Sequence, residues 1–317
     1  MKEGSRGTAS ASGRRAFDTF VVVQLALTLV LLVGAGLMLR SFDRLLEVEK
    51  GFQASSVTVG RLQLPGRRYT VEQAMVLYRR LVTDVEAIPG VEAAGLTLTA
   101  PFTPGNPQNE VIGEGREPGP EDPIPVANQR FVTPRYFAAV GTPILRGRPF
   151  DERDTEASQL VAMVDETLAR YYWPDSDPLG KRLRFGGDPA TATWRTIVGV
   201  VPNVKQESLD ETPTLQIYVP LAQRTVLNTQ LVVRSSAKPE ALVAALRARI
   251  AAIDPGLPLY DVHALESALA ASLAARRLAN ALLIGFALTA MLLAIIGVYG
   301  VMSLNDVRPR DRLTRGD

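Results

Sequence analysis

Cysteine is absent from the 317-residue chain, histidine occurs once, at His263, and tryptophan occurs twice. A chain without thiols forms no disulfide bond and no thiolate metal site, and zero cysteines fit an oxidising compartment as well as the cytosol. Lysine and arginine together number 35, against 33 aspartate and glutamate residues. The arginines are dispersed and no basic stripe is interleaved with aromatic residues, so the sequence gives no indication of a nucleic-acid partner.

Charge is missing from two long stretches. Residues 19–39 hold 21 positions without a charged side chain, and residues 278–305 hold 28. About 20 apolar residues at 1.5 Å per residue cross a hydrocarbon layer roughly 30 Å thick. The sequence therefore predicts membrane-spanning helices at 19–39 and 278–304. Buried helices of a soluble protein are the weaker alternative, because core helices are rarely uncharged for so long.

A cleaved signal peptide is a further alternative for the first stretch. The apolar run exceeds the usual length of roughly 7–15 residues, and AGLMLRSF at its end offers no A-x-A cleavage site. We therefore expect residues 1–18 to be a cytoplasmic N-terminal segment and residues 305–317 to be a short basic cytoplasmic tail.

The orientation is predicted from basic residues close to the spans. Seven lie on the terminal sides and five on the side of the middle region: Arg6, Arg14, Arg15, Arg308, Arg310, Arg312 and Arg315 against Arg40, Arg44, Lys50, Arg276 and Arg277. An excess of basic residues marks the cytoplasmic side, so this bias mildly favours cytoplasmic termini. Because two spans return the chain to the same side, the region between them is predicted to be periplasmic.

The middle region contains one pattern twice. A strand, a helix, a Pro-Gly stop and a second strand occur within 56–98 and again within 229–262. The first helix starts with a capping box formed by Thr70 and Gln73, and the second starts at Pro239. Two such units, with both helices on one sheet face, predict a split ferredoxin-like (porter-like) α+β sandwich.

The predicted core domain occupies 40–277, with repeat halves at 40–100 and 228–277 and an insertion at 101–227. The insertion opens with a Pro/Gly-rich stretch, 101–125, which is expected to be an exposed loop. Short apolar segments follow and predict a mostly β subdomain. Its strands are expected at 160–166, 181–185 and 194–201, with a helix near 165–173.

Both spans are predicted to continue as helical stalks into the core domain. After the first span, 40–50 predicts two more turns, which Gly51 ends. Before the second span, Leu265, Leu269 and Leu273 fall at i, i+4 and i+8 on a helix that continues the membrane helix. Such stalks would either transmit displacement or simply dock on the domain, and the pattern favours neither alternative.

The spans contain no charged residue and hence no candidate proton or ion path. Gly34, Gly36, Gly297 and Gly300 are predicted to be positions of close helix packing. The alternative is that they reflect the ordinary abundance of glycine in membrane helices.

No convergent set of reactive groups is evident. Ser235 and Lys238 form an S-x-x-K pair, but a proline follows and no K-T-G occurs, so a helix start is the better explanation. The GEGREPG stretch at 113–119 lacks the strand and helix context of a phosphate-binding loop. His263, two residues after Asp261, is expected to be a surface or cap residue.

Adjacent carboxylates are expected to be turn and helix-start residues rather than catalytic pairs. These are Asp165 with Glu166, and Asp175 with Asp177. We therefore expect no enzymatic activity in this chain, no cofactor and no metal site.

Several stretches within residues 17–303 resemble permeases of the MacB/FtsX class of ABC transporters, specifically acidobacterial-type duplicated permeases with a MacB-like periplasmic core domain. They are LTLVLLVGAGLMLRSF (27–42), PGVEAAGLT (89–97), YFAAVGTPILRGRPF (136–150), YWPDSDPLGKRL (172–183), WRTIVGVVPNVK (194–205), QIYVPLAQ (216–223) and IGVYGVMS (296–303). None is catalytic, but their succession makes the resemblance specific.

The resemblance implies a part of a mechanical system. A separate cytoplasmic ABC ATPase would hydrolyse ATP and drive closure of a homodimer, or of a pair with a full-length permease. Long helices would carry that motion to the periplasmic domain, and the insertion would face a periplasmic adaptor protein or the substrate. The surrounding lipid bilayer would be the bacterial inner membrane.

The tail departs from the family pattern. In the family a cytoplasmic coupling helix and two more spans follow the second span, whereas the segment after Ser303 contains Pro309. We therefore expect a permease truncated after its second span, which would remove the region that contacts the ATPase. The alternative is a membrane-anchored periplasmic binding or scaffolding module without transport activity, and an anchored enzyme would need a site built around His263.

Overall fold

The computed structural model describes residues 11–306 except 118, 120, 121, 187–192 and 225. Two compact units divide the chain: a helical unit, Met1–Glu47 with Leu273–Asp317, and a globular unit, Val48–Ser272. Residues 1–10 and 307–317 of the predicted terminal segments, including the tail with Pro309, lie outside the described residues.

The described part of the chain contains seven α-helices: α1 Ala11–Leu46, α2 Val71–Glu86, α3 Tyr136–Val140, α4 Glu166–Tyr172, α5 Pro239–Ile253, α6 Leu265–Ser272 and α7 Ala274–Asp306. Its eleven strands are β1 Val57–Gln63, β2 Val91–Thr97, β3 Gln108–Gly113, β4 Val126–Val132, β5 Arg146–Gly147, β6 Val161–Asp165, β7 Arg182–Phe185, β8 Arg195–Val201, β9 Gln216–Pro220, β10 Asn228–Ser235 and β11 Leu259–Ala264.

The predicted spans lie within α1 and α7. Val22–Leu45 and Arg276–Tyr299 each contain 24 residues, with mean hydropathies of 2.4 and 2.6. Both segments are long and apolar enough to cross a bilayer by length and composition.

Four strands form the ferredoxin-like sheet. Their order is β11-β1-β10-β2, and every neighbouring pair is antiparallel. The two helices of the repeat, α2 and α5, contact each other. The capping box at Thr70 and Gln73 is present, and α5 begins with Pro239. The interleaving of β1–α2–β2 with β10–α5–β11 confirms the predicted ferredoxin-like repeat.

Six strands of the insertion close into a ring of pairings. The order is β4-β3-β7-β8-β6-β9, and β9 pairs back onto β4 in parallel. We call this ring the inserted barrel; it joins the ferredoxin-like sheet through the pair Thr97–Val132. The expected mostly β insertion is confirmed, with β6, β7, β8 and α4 close to their predicted positions.

Alternating side chains of the ferredoxin-like strands lie in two different apolar clusters, one on each face of the sheet. Leu62 of β1 lies in the cluster beneath α2 and α5, whereas Val57 and Val59 of the same strand lie in a cluster with residues of α3 and α6. Successive side chains of a strand point to opposite faces, so the sheet is covered on both sides. Full burial of such a side chain stabilises the fold by roughly 1.5–3 kcal/mol.

The expectation of an exposed loop across 101–125 is wrong. Strand β3 lies inside this stretch, and its residues Val111 and Ile112 are buried. The Pro and Gly residues flank the strand rather than interrupt it, and pairing with β4 and β7 supplies its backbone hydrogen bonds.

One stalk prediction is confirmed and the other needs correction. Helix α1 continues past the first span to Leu46, about two turns as expected, and ends before Gly51. The expected continuous helix through 264–277 is interrupted at Leu273, which lies in a turn between α6 and α7. The Ser272 hydroxyl donates to the Leu269 carbonyl oxygen at 2.7 Å, a local bond of the kind that competes with helix continuation.

Candidate functional site

A narrow seam of shielded residues runs along each long helix of the helical unit. On α1 it consists of Gln24, Thr28, Leu31, Ala35, Phe42 and Leu45, and on α7 of Asn280, Leu283, Ala287, Ala290, Ala294 and Gly297. The steps of three, four and, once, seven residues give the 3.5-residue period of paired helices. The Thr28 hydroxyl donates to the Gln24 carbonyl oxygen at 2.7 Å and lies 3.4 Å from the Ala290 carbonyl oxygen on the other helix.

The four predicted packing glycines do not form one group. Gly297 is half-buried on the α7 seam, whereas Gly34 and Gly36 are exposed on α1, and a Cβ at either would meet no atom within 4 Å. Gly300 belongs to α7, and its surroundings lie outside the described side chains. Close packing at Gly34 and Gly36 remains a prediction that requires a helix from another molecule.

The leucine stripe is divided between the two units. Leu265 is fully buried in the cluster with α3, Leu269 is half-buried, and both belong to α6, which contacts β1 and β11. Leu273 is buried but belongs to the helical unit. The docking interpretation therefore holds for α6, and the use of these leucines as stalk contacts remains a prediction.

A cleft of about 110 Å³ lies in the globular unit between α2 and the inserted barrel. Its apolar wall includes Met75 and Val82 of α2 together with Pro134 and Leu221. The walls come from four segments that are distant in sequence, so sequence patterns alone gave no sign of it. Its mixed apolar and charged lining suits a non-covalent ligand or a partner side chain.

Ion pairs border the cleft. Arg135 Nε lies 2.6 Å from Glu86 Oε1, which also accepts the Ala94 N–H at 3.1 Å, and Arg79 Nε lies 3.4 Å from Glu152 Oε2. Exposed pairs of this kind contribute about 0–1 kcal/mol each, so the pairs shape the rim more than they stabilise it.

The loop at 151–154 is fixed by its own charges. Arg148 makes two hydrogen bonds of 2.8 Å to the carboxylate of Asp154. The Arg153 guanidinium lowers the pKa of Asp151 to about 2, chiefly through a side-chain hydrogen bond. Both carboxylates are therefore occupied as structural acceptors at neutral pH.

Asp165 is a buried junction between elements of the inserted barrel. It caps α4 by accepting the N–H groups of Thr167 and Leu168, as expected for a helix-start residue. It also accepts from Asn203 Nδ2 at 2.6 Å and from the Gln216 N–H at 2.9 Å, two partners that its spacing did not predict. Burial raises the pKa of Asp165 in spite of these bonds. All its bonds are structural.

Arg130 is the largest fully buried side chain among the described residues. Its guanidinium donates to the Gln129 carbonyl oxygen at 3.0 Å and to Asn106 Oδ1 at 2.6 Å. No carboxylate of the described residues pairs with it within 4 Å, and burial lowers its pKa. Arg130 therefore joins the Asn106 loop to β4, a role that the sequence did not indicate.

The reactive-looking pairs occupy structural positions. Ser235 Oγ donates to the Gly90 carbonyl oxygen at 2.8 Å and accepts the Ala237 N–H at 3.1 Å, while Lys238 is the N-cap of α5, which confirms the helix-start explanation. His263 is half-buried at the end of β11, with Nδ1 2.9 Å from the Asp261 carbonyl oxygen.

The remaining candidates also hold local structure. Asp177 Oδ1 accepts the Leu179 N–H at 3.1 Å, and Glu114 of the GEGREPG stretch binds Arg182 at 2.6 Å. Within the described residues no group of three or more His, Cys, Asp or Glu side chains could hold a metal ion.

Comparison with known proteins places this architecture among permeases. The family model described as the MacB-like periplasmic core domain matches residues 24–253, more than half of the chain. The chain is 34% identical over 67 residues to the macrolide export ATP-binding/permease protein MacB of Neisseria gonorrhoeae, covering 21% of this chain and 10% of that protein. It is 32% identical over 90 residues to the probable syringafactin export ATP-binding/permease protein SyfD of Pseudomonas syringae pv. syringae, covering 28% of this chain and 13% of that protein. The matches thus span about a tenth of these relatives' length.

Solved structures to which the chain is similar include the periplasmic region of MacB from Actinobacillus actinomycetemcomitans, with a TM-score of 0.46 and 15% identity over 71% of this chain and 95% of that chain. The extracellular domain of the noncanonic ABC-type transporter YknZ from Gram-positive bacteria gives a TM-score of 0.41 and 12% identity over 64% of this chain and 100% of that chain. On the strength of the family match across 24–253, the chain belongs to the family of the MacB-like periplasmic core domain, within the MacB/FtsX class of permeases.

Proposed function

We propose that this chain is a permease-like subunit of an ATP-driven export or mechanotransmission system. The observation that carries the proposal is a MacB-like core domain placed between two helices that are long and apolar enough to span a membrane. Two relatives are named as export ATP-binding/permease proteins, which supports the same class of function. The charge-free spans argue against ion conduction through the chain itself.

In this proposal the bilayer is the bacterial inner membrane and the globular unit is periplasmic. A cytoplasmic ABC ATPase supplies the energy, and a second copy of the chain or a full-length permease completes the membrane unit. The inserted barrel is the surface offered to a periplasmic adaptor or to the substrate. These partners are proposed from the family and from the two-helix architecture.

Site-specific photocrosslinking in the native host tests the proposal. A photoreactive residue at Tyr299, 72% exposed on α7, is compared with one at Tyr260, 41% exposed on β11. We expect Tyr299 to capture an ABC ATPase or a full-length permease, and Tyr260 to capture neither. Repeated failure of Tyr299 to capture either protein would refute the proposal.

The alternative is a membrane-anchored binding or scaffolding module, and the cleft between α2 and the inserted barrel is the observation that favours it. The globular unit, Val48–Ser272, has its own buried core and is a suitable fragment for the comparison. The module function predicts that this fragment binds a periplasmic partner as tightly as the whole chain does. A partner that binds only the whole chain contradicts it.

A further inference from the structure

The segment that follows α1 is hydrogen-bonded to the insertion as well as to β10 of its own sheet, where Arg234 donates to the Gln53 carbonyl oxygen at 3.1 Å. The Lys205 N–H donates to the Lys50 carbonyl oxygen at 3.0 Å, and the Gln53 N–H donates to the Val140 carbonyl oxygen at 2.9 Å. The Thr142 hydroxyl donates to the carbonyl oxygen of Gly51 at 2.8 Å. We call this set of three bonds the Gly51 clamp.

Gly51 itself requires the absence of a side chain. Its φ of +76° lies in the left-handed region, and a Cβ there would lie 2.3 Å from the Asn203 carbonyl oxygen and 3.0 Å from Val204 Cα. Both neighbours are backbone atoms, which cannot swing aside like the end of a flexible side chain. The close approach therefore depends on glycine both for conformation and for space.

The clamp contacts well-anchored parts of the insertion. Asn203, whose backbone faces Gly51, donates through Nδ2 to the buried carboxylate of Asp165 and to the Thr214 carbonyl oxygen at 2.8 Å. Asp165 in turn caps α4 and binds the backbone of Gln216 on β9. Three bonded segments of the insertion, at 165–168, 203 and 214–216, therefore support the backbone that faces Gly51.

The exit from the globular unit is built differently. Helix α6 contacts β1 and β11 of the ferredoxin-like sheet, and the helical path breaks at Leu273 before α7 begins. On the α1 side, by contrast, the helix runs unbroken to Leu46, and the clamp begins at Lys50. Helix α6 thus packs on the sheet, whereas the segment after α1 is hydrogen-bonded to the insertion and to β10.

We infer that the Gly51 clamp is the mechanical connection through which a displacement of α1 reaches the inserted barrel. This role rests on the proposed function, whereas the strength of the connection is a property of the chain alone. Gly51, Thr142 and Lys205 are positioning residues in this mechanism. They act by holding the segment after α1 against the insertion.

Single-molecule pulling on the full chain in a lipid nanodisc tests the inference. Because the chain has no cysteine, Glu49→Cys and Ser176→Cys give unique attachment points on either side of the clamp. If the clamp holds, extension begins only when the inserted barrel gives way. If it does not, residues 50–56 separate first, together with the bonds that Arg234 and Ser235 make to this segment, and add about 25 Å at roughly 3.5 Å per residue.

The decisive comparison is Gly51→Ala against Gly115→Ala. Gly115 has a φ of +82°, close to that of Gly51, but a Cβ there would meet nothing within 4 Å. Both variants carry the same left-handed strain, and only Gly51→Ala clashes with backbone. We expect the early 25 Å step in Gly51→Ala and no early step in Gly115→Ala. In Thr142→Val, which loses one clamp bond, we expect the early step in only a fraction of the pulling traces.

Amide exchange on the same proteins confirms that the fold is retained. Gly51→Ala is expected to speed exchange at Lys205 at least tenfold while Val232 on the central strand β10 stays protected. An early step in the unmodified chain, or identical traces for Gly51→Ala and Gly115→Ala, overturns the inference. Neither result depends on an ATPase, so failure of the clamp and failure of the proposed function are separate outcomes.

Discussion

Removing the carboxylate of Asp165 is expected to destabilise the globular unit strongly. The side chain is fully buried and accepts four hydrogen bonds, from Thr167, Leu168, Asn203 and Gln216. Loss of a helix N-cap costs about 0.5–2 kcal/mol, and leaving a buried N–H such as that of Gln216 without an acceptor costs about 1–3 kcal/mol. Asp165→Ala should therefore lower the free energy of unfolding by about 2–5 kcal/mol, a large share of the roughly 5–15 kcal/mol typical of a domain.

Urea unfolding of the globular unit, followed by circular dichroism, measures this effect. With a denaturant dependence of about 3 kcal/mol per molar, the midpoint should fall by about 1 M. Asp177→Ala is the matched control, because Asp177 is exposed and accepts one backbone N–H in a turn. A shift below about 0.3 M for Asp165→Ala, or equal shifts for the two variants, would refute the assignment of Asp165 as a buried junction.

Three further changes have defined outcomes. The Tyr69 hydroxyl is the main cause of the lowered pKa of Asp254, so this carboxylate stabilises the fold above its ordinary pKa and loses that effect as the pH falls below about 4. Tyr69→Phe should therefore move the acid-unfolding midpoint to higher pH in a circular dichroism titration, and an unchanged midpoint would contradict this. Gly95→Ala would place a Cβ 2.6 Å from Tyr136 Cα and should lower the melting temperature by several degrees in calorimetry; an unchanged value would show that the backbone relaxes freely. Glu152→Ala removes only an exposed 3.4 Å ion pair and should change the unfolding free energy by less than about 1 kcal/mol, with a larger loss indicating a stronger pair.

The sequence predicted the ferredoxin-like repeat because the signals that start its helices and strands lie within a few residues of each element. The capping box at Thr70 and Gln73 and the proline that opens α5 each act within one helical turn, and both appear as expected. Two equivalent units then leave few ways to form one sheet, so the topology followed from the repeat. The charge-free runs predicted α1 and α7 for the same reason.

Long-range partners explain what the sequence did not reveal. Strand β3 is surrounded in the sequence by Pro and Gly residues and is stabilised by pairing with β4 and β7. A single sequence does not reveal which strands will pair with it. Gly51 looked like a helix stop, yet its carbonyl oxygen bonds to Thr142, 91 residues away. The buried position of Arg130 likewise depends on strand register, because a shift of one residue would turn it to the other face of the sheet.

The site predictions divided in the same way. Asp165 was expected at a helix start, which is a local property, and the structure confirms it. Its bonds to Asn203 and Gln216 are set by the parallel pairing of β6 with β8 and by the proximity of β9. The cleft beside α2 has the same origin, since its walls come together only after the barrel has closed.

Motion of the globular unit under ATP can be measured as a change in the distance between two copies of the chain. A spin label at Glu240, exposed at the start of α5, replaces that residue in a chain that has no cysteine. The chain is reconstituted in nanodiscs with the ATPase captured from its host, and label–label distances are measured by pulsed electron paramagnetic resonance with and without ATP. We expect a distance distribution that shifts with ATP and returns after hydrolysis, whereas identical distributions in all states would show that ATP does not move the globular unit.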